Sequence, residues 1–438
     1  MLGGGTFITQ NKTLPGAYIN FVSAARATAA LSDRGYAAMA LELDWGADGQ
    51  VFAVTASDLE KDSQKLLGYA YTDEKLKGLR DLFRSGLRKA YLYRLNSGAK
   101  AANDFAEARY SGLRGNDVRI VITAVEGEEP EGASYSVKTY LDTKEVDAQR
   151  VRTAADLADN EFVVWKKGAA LAATAGTALT GGSNKPAVTG DDYQLFLDKI
   201  ESYSFNTLGC LSEDKAVCAL FQQFTKRMRN EAGVKFQTVL YRSAADFEGV
   251  ISVENSASDA GWPASSAVYW VTGAEAGCAV NKSLTNAKYD GEFAIETGYR
   301  QSELETGLKG GKLMFHRVGD DVRVLEDINT FVSFTDEMGA DFADNQTMRV
   351  LDQIGNDDAL LFNTRYLGVV PNDDGGRISF WNDIVKLRQE MLNIRAIENF
   401  KAEDVTVRAG ATKKSVVVEN TVRPVNAMTQ LYMTTVVA

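Results

Sequence analysis

One histidine, His316, serves a chain of 438 residues. Hydrolytic triads and histidine-built metal sites need imidazole at defined places, so a single ring excludes most of them. Cysteine is nearly as scarce. Cys210, Cys218 and Cys278 are an odd, widely spaced trio without a C-x-x-C pair, which argues against a disulfide framework or a zinc knuckle and for buried thiols in a reducing cytoplasm. Basic charge is in deficit: 48 Lys and Arg stand against 59 Asp and Glu, a formal net charge of −11. That balance excludes a sequence-independent grip on nucleic acid or on an anionic membrane. No apolar run approaches the roughly 20 residues of a membrane span. The opening MLGGGTFITQNKTLPG has neither a basic n-region nor an apolar h-region, so a soluble chain without signal peptide or membrane insertion is expected.

What is present is ordinary globular material, 45 % hydrophobic and 24 % charged. The length exceeds one compact core and predicts two to four domains. Residues 1–35 read as an arm with β-prone pieces at Thr6 to Thr9 and Ala17 to Val22. Residues 36–95 read as a small α/β unit: strands near Ala38 to Leu43, Val51 to Val54 and Tyr91 to Leu95, and a helix capped at Thr72 or Asp73. In residues 96–191 the period changes to two, predicting an antiparallel β insertion. Val118 to Val125 and Ser134 to Leu141 form a hairpin across the acidic turn Glu126 to Gly132, Glu161 to Lys166 adds a further β-run, and Gly168 to Gly190 is a mobile linker.

Residues 192–335 return to α/β alternation. A helix is expected after Ser212-Glu213-Asp214, strands at Phe236 to Leu240 and Val250 to Val253, and a helix opened by Pro263. A Ser302-x-x-Glu305 capping box and a hairpin turning at Gly319-Asp320-Asp321 follow. Residues 336–412 form an α/β tail, with a helix near Gln346 to Ile354, a strand pair at Leu367 to Val370 and Arg377 to Phe380 turning at Asn372 to Gly376, and a helix carrying Ile384, Leu387, Met391, Ile394 and Ile397. Residues 413–438 close the chain as a β arm, with runs at Ser415 to Val422 and Val425 to Val437.

The motifs that chemistry needs are missing. Gly176 to Ser183 has P-loop glycine spacing but Gly182 where the lysine must stand, and composition alone yields such loops. No serine lies in a G-x-S-x-G elbow, and His316 reads as a strand residue. Asp357-Asp358 and Asp373-Asp374 could hold a divalent cation, yet both read as turn-like, where Asp bonds its own backbone. No catalytic residue, cofactor or metal ligand is assigned. A divalent-metal hydrolase using Asp and Glu clusters is the competing class.

The two ends carry the remaining signal. Tyr18, Ile19, Phe21 and Val22 at one end, and Val425, Met428, Leu431, Tyr432, Met433 and Val436 at the other, belong to uncharged β-prone segments. Such edges pair either with another subunit's sheet or with the chain's own. Residues 1–40 carry a net charge of +2 and residues 377–438 of +3, leaving −16 on residues 41–376. Basic ends on an acidic body favour contacts between copies.

These same segments carry a family resemblance. Leu14-Pro15-Gly16-Ala17-Tyr18-Ile19-Asn20-Phe21, then Asp33-Arg34-Gly35, Leu179-Thr180-Gly181-Gly182 before Asp192-Tyr193, and Val425-Asn426-Ala427-Met428-Thr429-Gln430-Leu431-Tyr432-Met433 resemble, in order, contractile tail sheath proteins of myophages and phage-tail-like (R-type) bacteriocins. The resemblance implies a subtilisin-like α/β domain without the catalytic triad, an inserted β-sandwich-like domain and extended terminal arms. It implies self-assembly into stacked, hexameric rings around an inner tail tube, contacts to baseplate and tail terminator proteins, and contraction that drives the tube through a target envelope. Assembly in the bacterial cytoplasm, then residence in a phage or phage-tail-like particle, follows from the same likeness, as does the alternative of a sheath subunit in a related secretion machine. The β insertion is short beside those of larger sheath proteins.

Overall fold

A computed structural model describes residues 30–125 and 134–437. Its centre is a sheet built from two distant stretches of sequence. The first supplies β1 (Tyr36–Leu41), β2 (Val51–Thr55), helices α1 (Ala56–Leu67) and α2 (Lys77–Phe83), and β3 (Lys89–Arg94). In β1, Ala37, Met39 and Leu41 face one core while Ala38 and Ala40 face another. Burial on both faces is why this strand reads as a continuous apolar run. Helix α1 was not predicted, because its polar stretch shows little apolar period. Its start is chemical: Thr55 and Asp58 bond each other's backbone N–H groups at 3.2 and 2.9 Å, and Gly68 closes it at φ +81°.

The β insertion follows: β4 (Ala106–Ala108), β5 (Val118–Val125), β6 (Ser134–Leu141), β7 (Lys144–Val151), β8 (Val163–Trp165) and β9 (Thr174–Ala178). Among the described residues these order as β7-β6-β5-β9 with a separate β4-β8 pair, all antiparallel. The expected pairing of β5 with β6 is present, while the acidic turn between them lies outside the described residues. Strand β7 was not foreseen. The expected linker Gly168 to Gly190 is corrected: within it β9 pairs with β5, because the small Thr and Ala residues that suggest a loop also fit a sheet edge. Val118, Ile120, Ile122, Val137 and Trp165 form the core of this unit.

The chain then re-enters the central sheet through α3 (Gly190–Ile200), β10 (Thr207–Gly209), α4 (Lys215–Arg227), β11 (Gln237–Tyr241), β12 (Val250–Val253), α5 (Ala267–Gly277), α6 (Gln301–Lys309) and β13 (Lys312–Leu313), with a hairpin of β14 (Phe315–Val318) and β15 (Asp321–Val324) beside it. The sheet order is β13-β12-β11-β10-β1-β3-β2, parallel except for β2. Helix α5 is buried on every side. The predicted box at Ser302 is displaced: Arg300 and Glu303 cap α6, with the Arg300 N–H on Glu303 at 2.8 Å, so Ser302 lies inside the helix. Pro263 precedes a short 3-10 turn rather than opening α5 directly.

The last unit holds α7 (Asn345–Leu361), α8 (Asp374–Asn393), β16 (Val405–Ala409) and β17 (Val416–Asn420). The strand pair predicted at Leu367 to Val370 and Arg377 to Phe380 is overturned. Asp373 accepts from the Gly376 N–H at 2.8 Å and caps α8, whose opening turns contain Arg377 to Phe380. Asp-Asp-Gly-Gly serves a turn or a helix start equally; the buried row Phe380, Ile384, Leu387, Met391 decides for the helix. The run Ser415 to Val422 contains β17, which pairs with β16. Beyond an isolated bridge at Pro424, Val425 to Val437 forms no strand with the rest of the described chain.

Candidate functional site

The chain leaves its last unit through a defined root. The Val425 N–H donates to the Ala396 carbonyl at 3.0 Å and the Glu398 N–H to the Arg423 carbonyl at 2.9 Å. Gln346, in the first turn of α7 and 2 % exposed, then grips the departing backbone with both ends of its amide. Its Nε2 donates to the Val425 carbonyl and its Oε1 accepts the Ala427 N–H, both at 2.9 Å. The Thr347 hydroxyl adds a bond to Asn426 at 3.1 Å. A glutamine in this role imitates the neighbouring strand that the backbone lacks.

Past this clasp the segment has no backbone hydrogen bond to the described chain. Met428 is 101 % exposed, Leu431 85 %, Tyr432 89 %, Met433 77 % and Val436 85 %. Of the ten expected contact residues, Val425 is half-buried at the root and these five stand in solvent. Tyr18, Ile19, Phe21 and Val22 lie outside the described residues.

The side chains weighed for chemistry are engaged elsewhere. Asp357 accepts from the Ser32 hydroxyl and N–H, at 2.5 and 3.2 Å, and from Gln353 at 2.8 Å. Asp358 pairs with Arg388, and Asp374 with Arg377. Gly176 belongs to β9 and precedes no helix that could cradle a phosphate. His316 sits opposite Arg323 in the β14-β15 hairpin, and burial with that guanidinium lowers its pKa. Burial pushes the Cys278 thiol up to about 11 and the Cys210 thiol higher still, away from nucleophilic chemistry. Among the described residues no group of three or more His, Cys, Asp or Glu is placed to hold a metal, and no helix is long and apolar enough to cross a membrane.

Family models match four consecutive stretches of the chain. Residues 34–95 match the tail sheath protein domain III N-terminal region, 96–184 the phage tail sheath protein beta-sandwich domain, 186–330 the phage tail sheath protein central domain, and 337–438 the phage tail sheath C-terminal domain. The phage-like element PBSX protein XkdK of Bacillus subtilis (strain 168) is 31 % identical, over 98 % of this chain and 99 % of the relative. The crystal structure of the sheath tail protein from Desulfitobacterium hafniense superposes with a TM-score of 0.80 at 36 % identity, covering 93 % of this chain and 96 % of that one. The anti-feeding prophage helical sheath in its contracted state shares the fold, with a TM-score of 0.57 at 12 % identity over 97 % of this chain and 99 % of that one. The chain belongs to the phage tail sheath protein family. It is a structural subunit of a phage tail sheath and not an enzyme, which overturns the hydrolase alternative.

Proposed function

We propose that the subunits join by exchanging their terminal segments, so that Met428 to Val437 of one copy adds to a sheet edge of the next. The observation that carries this is an apolar, uncharged segment rooted by Gln346 and left in solvent beyond it. Magnitudes favour strand addition over simple apolar contact. Burying six such side chains stabilises by roughly 10–15 kcal/mol. Ordering ten residues costs about 10–20 kcal/mol. Side chains alone leave the balance near zero, so backbone pairing, at about 1 kcal/mol per hydrogen bond, has to contribute. The β16-β17 ribbon pairs with no third strand among the described residues and is the receiving element on this reading. Tyr18 to Val22 plays the matching part at the other end.

The assembly is a stack of six-membered rings around an inner tail tube, ending at baseplate and terminator proteins. The central α/β unit is a subtilisin-like scaffold used for its shape and not for its chemistry. Contraction increases contact between bodies while the exchanged strands keep neighbours linked, as hinges do. The test is electron microscopy of the full chain beside a variant lacking residues 428–438, which keeps the Gln346 clasp. Rings or tubes are expected from the full chain, and a folded monomer from the variant. Normal tubes from the shortened chain would refute strand exchange at this end.

A further inference from the structure

The carboxyl ends of β1, β3 and β10 open on a cleft of about 1070 Å³. In the order β11-β10-β1-β3 the chain leaves β1 toward β2 and β3 on one side and leaves β10 toward β11 on the other, and open parallel sheets gather ligands at such a switch point. The lining is lopsided in charge: Glu42, Asp44, Asp73, Glu74, Glu213 and Asp214 face a single cation, Lys75. Five of those carboxylates are engaged. Asp44 accepts from Asn184, Tyr69 and Lys75 at 2.7, 2.8 and 3.0 Å. Asp73 and Asp214 cap backbone N–H groups at 2.9 and 2.7 Å, Glu74 takes the Trp262 indole N–H at 3.1 Å, and Glu213 takes the Ser265 N–H at 3.3 Å.

Glu42 is different. It stands exposed just past β1 and has no hydrogen bond or ion pair among the described residues. Across the cleft, Tyr269 is 7 % exposed, yet its hydroxyl has no hydrogen-bond partner among the described residues. Burial, with the Glu42 charge behind it, raises the phenol's pKa and keeps it protonated. The hydroxyl opens onto the cleft, where a ligand atom can bond it. Trp262 packs edge-on to Tyr269 at 6.3 Å and supplies an aromatic wall. An anion is disfavoured: the helix starts that face the cleft, those of α3 and α4, are already countered by Asp192 and Asp214.

We propose that this cleft receives a guanidinium group, carried by an arginine of a second copy of the chain, with Glu42 and Tyr269 as its polar partners and Trp262 beside it. A planar guanidinium matches a carboxylate in two parallel bonds and stacks on aromatic faces, which an ammonium does less well. A second copy is the source that the charge distribution favours, since residues 1–40 and 377–438 carry net charges of +2 and +3 and the residues between them −16, which includes this acidic cleft.

The test is calorimetric titration of agmatine into the dispersed full-length chain, whose outcome does not depend on strand exchange. Saturable binding is expected, weakened about tenfold by Glu42→Gln and several-fold by Tyr269→Phe. Glu42 is exposed, so its variant keeps the fold, as circular dichroism checks. No saturable binding, or equal binding by Glu42→Gln, overturns the site. Repeating the titration on assembled material separates the sources. Loss of agmatine binding there, together with weaker assembly of Glu42→Gln, supports a neighbour's arginine; undiminished binding with unaltered assembly overturns the second copy and assigns the cleft to a free guanidine.

Discussion

At the scale of single residues, two side chains do work that their type does not announce. Gln346 replaces a missing strand for the peptide between Val425 and Ala427. Gln346→Ala removes both bonds at a buried position, a loss of about 1–3 kcal/mol. Amide exchange at Ala427 should accelerate by about tenfold or more, and assembly should fall while the body remains folded. Unchanged exchange at Ala427 would remove the clasp from the account. Asp81 shows the opposite economy. Burial raises its carboxyl to about 6, although the Tyr289 hydroxyl at 2.5 Å and the Glu292 N–H at 2.7 Å both pull it down. The folded value lies above the unfolded one near 3.8, so the folded state binds the extra proton. Stability from Asp81 is present below about pH 3.8 and is lost as pH rises through about 6, by up to roughly 3 kcal/mol. Unfolding of wild type and Asp81→Asn across pH 4 to 7 should therefore show the wild type losing ground to the variant as pH rises.

Between elements, the contact of α2 with α5 depends on absent side chains. A methyl group on Gly273 would stand 1.8 Å from the Leu82 carbonyl oxygen, and one on Gly78 would stand 2.4 Å from the Tyr269 ring. A backbone obstacle cannot rotate away, so Gly273→Ala has to push the helices apart, at about 3 kcal/mol or more. Gly190→Ala is the contrasting case. Its new methyl meets only Leu220, at 3.8 Å, and it should be neutral or stabilising because alanine favours the helix. Urea unfolding of the two variants distinguishes a packing limit from a general dislike of substitution.

Over the whole molecule, α7 fastens the last unit to the central sheet through buried charge. Arg349 donates to Glu275 at 2.7 Å and to Asp327 at 3.0 Å, all three at most 1 % exposed, and Arg229 grips Asp352 with bonds of 2.7 and 2.8 Å. Burial and Asp327 hold the Glu275 carboxyl well above the usual range, whereas Asp327, against its own burial, is held low by Arg349 and carries the charge that the guanidinium meets. Arg349→Met leaves the buried Asp327 carboxylate without its cation, a cost of about 3–5 kcal/mol. Hydrogen exchange should show residues 345–425 loosening from the central sheet before the sheet itself opens; uniform loosening everywhere would argue against a seam.

The sequence by itself determined what depends on near neighbours. The period-two runs of β5 and β6, the apolar row Ile384, Leu387 and Met391 of α8, and the glycine and proline boundaries lie within a few residues of their causes. The exposed β-prone end and the order of the family motifs were legible for the same reason. Where two local signals conflicted, as at Asp373 to Gly376 before α8 or in the small residues of β9, the local reading failed. Tertiary structure alone decided which distant pieces meet. Ala38 pairs with Leu208, so one sheet draws on segments either side of the insertion. Gln346 finds a backbone 79 positions away, and Glu42 faces Tyr269 across a cleft that exists only once β1 lies between β3 and β10. A turn or cap is fixed by bonds that the chain makes with itself nearby. These sites are fixed by the meeting of distant segments, which only the closed core brings about.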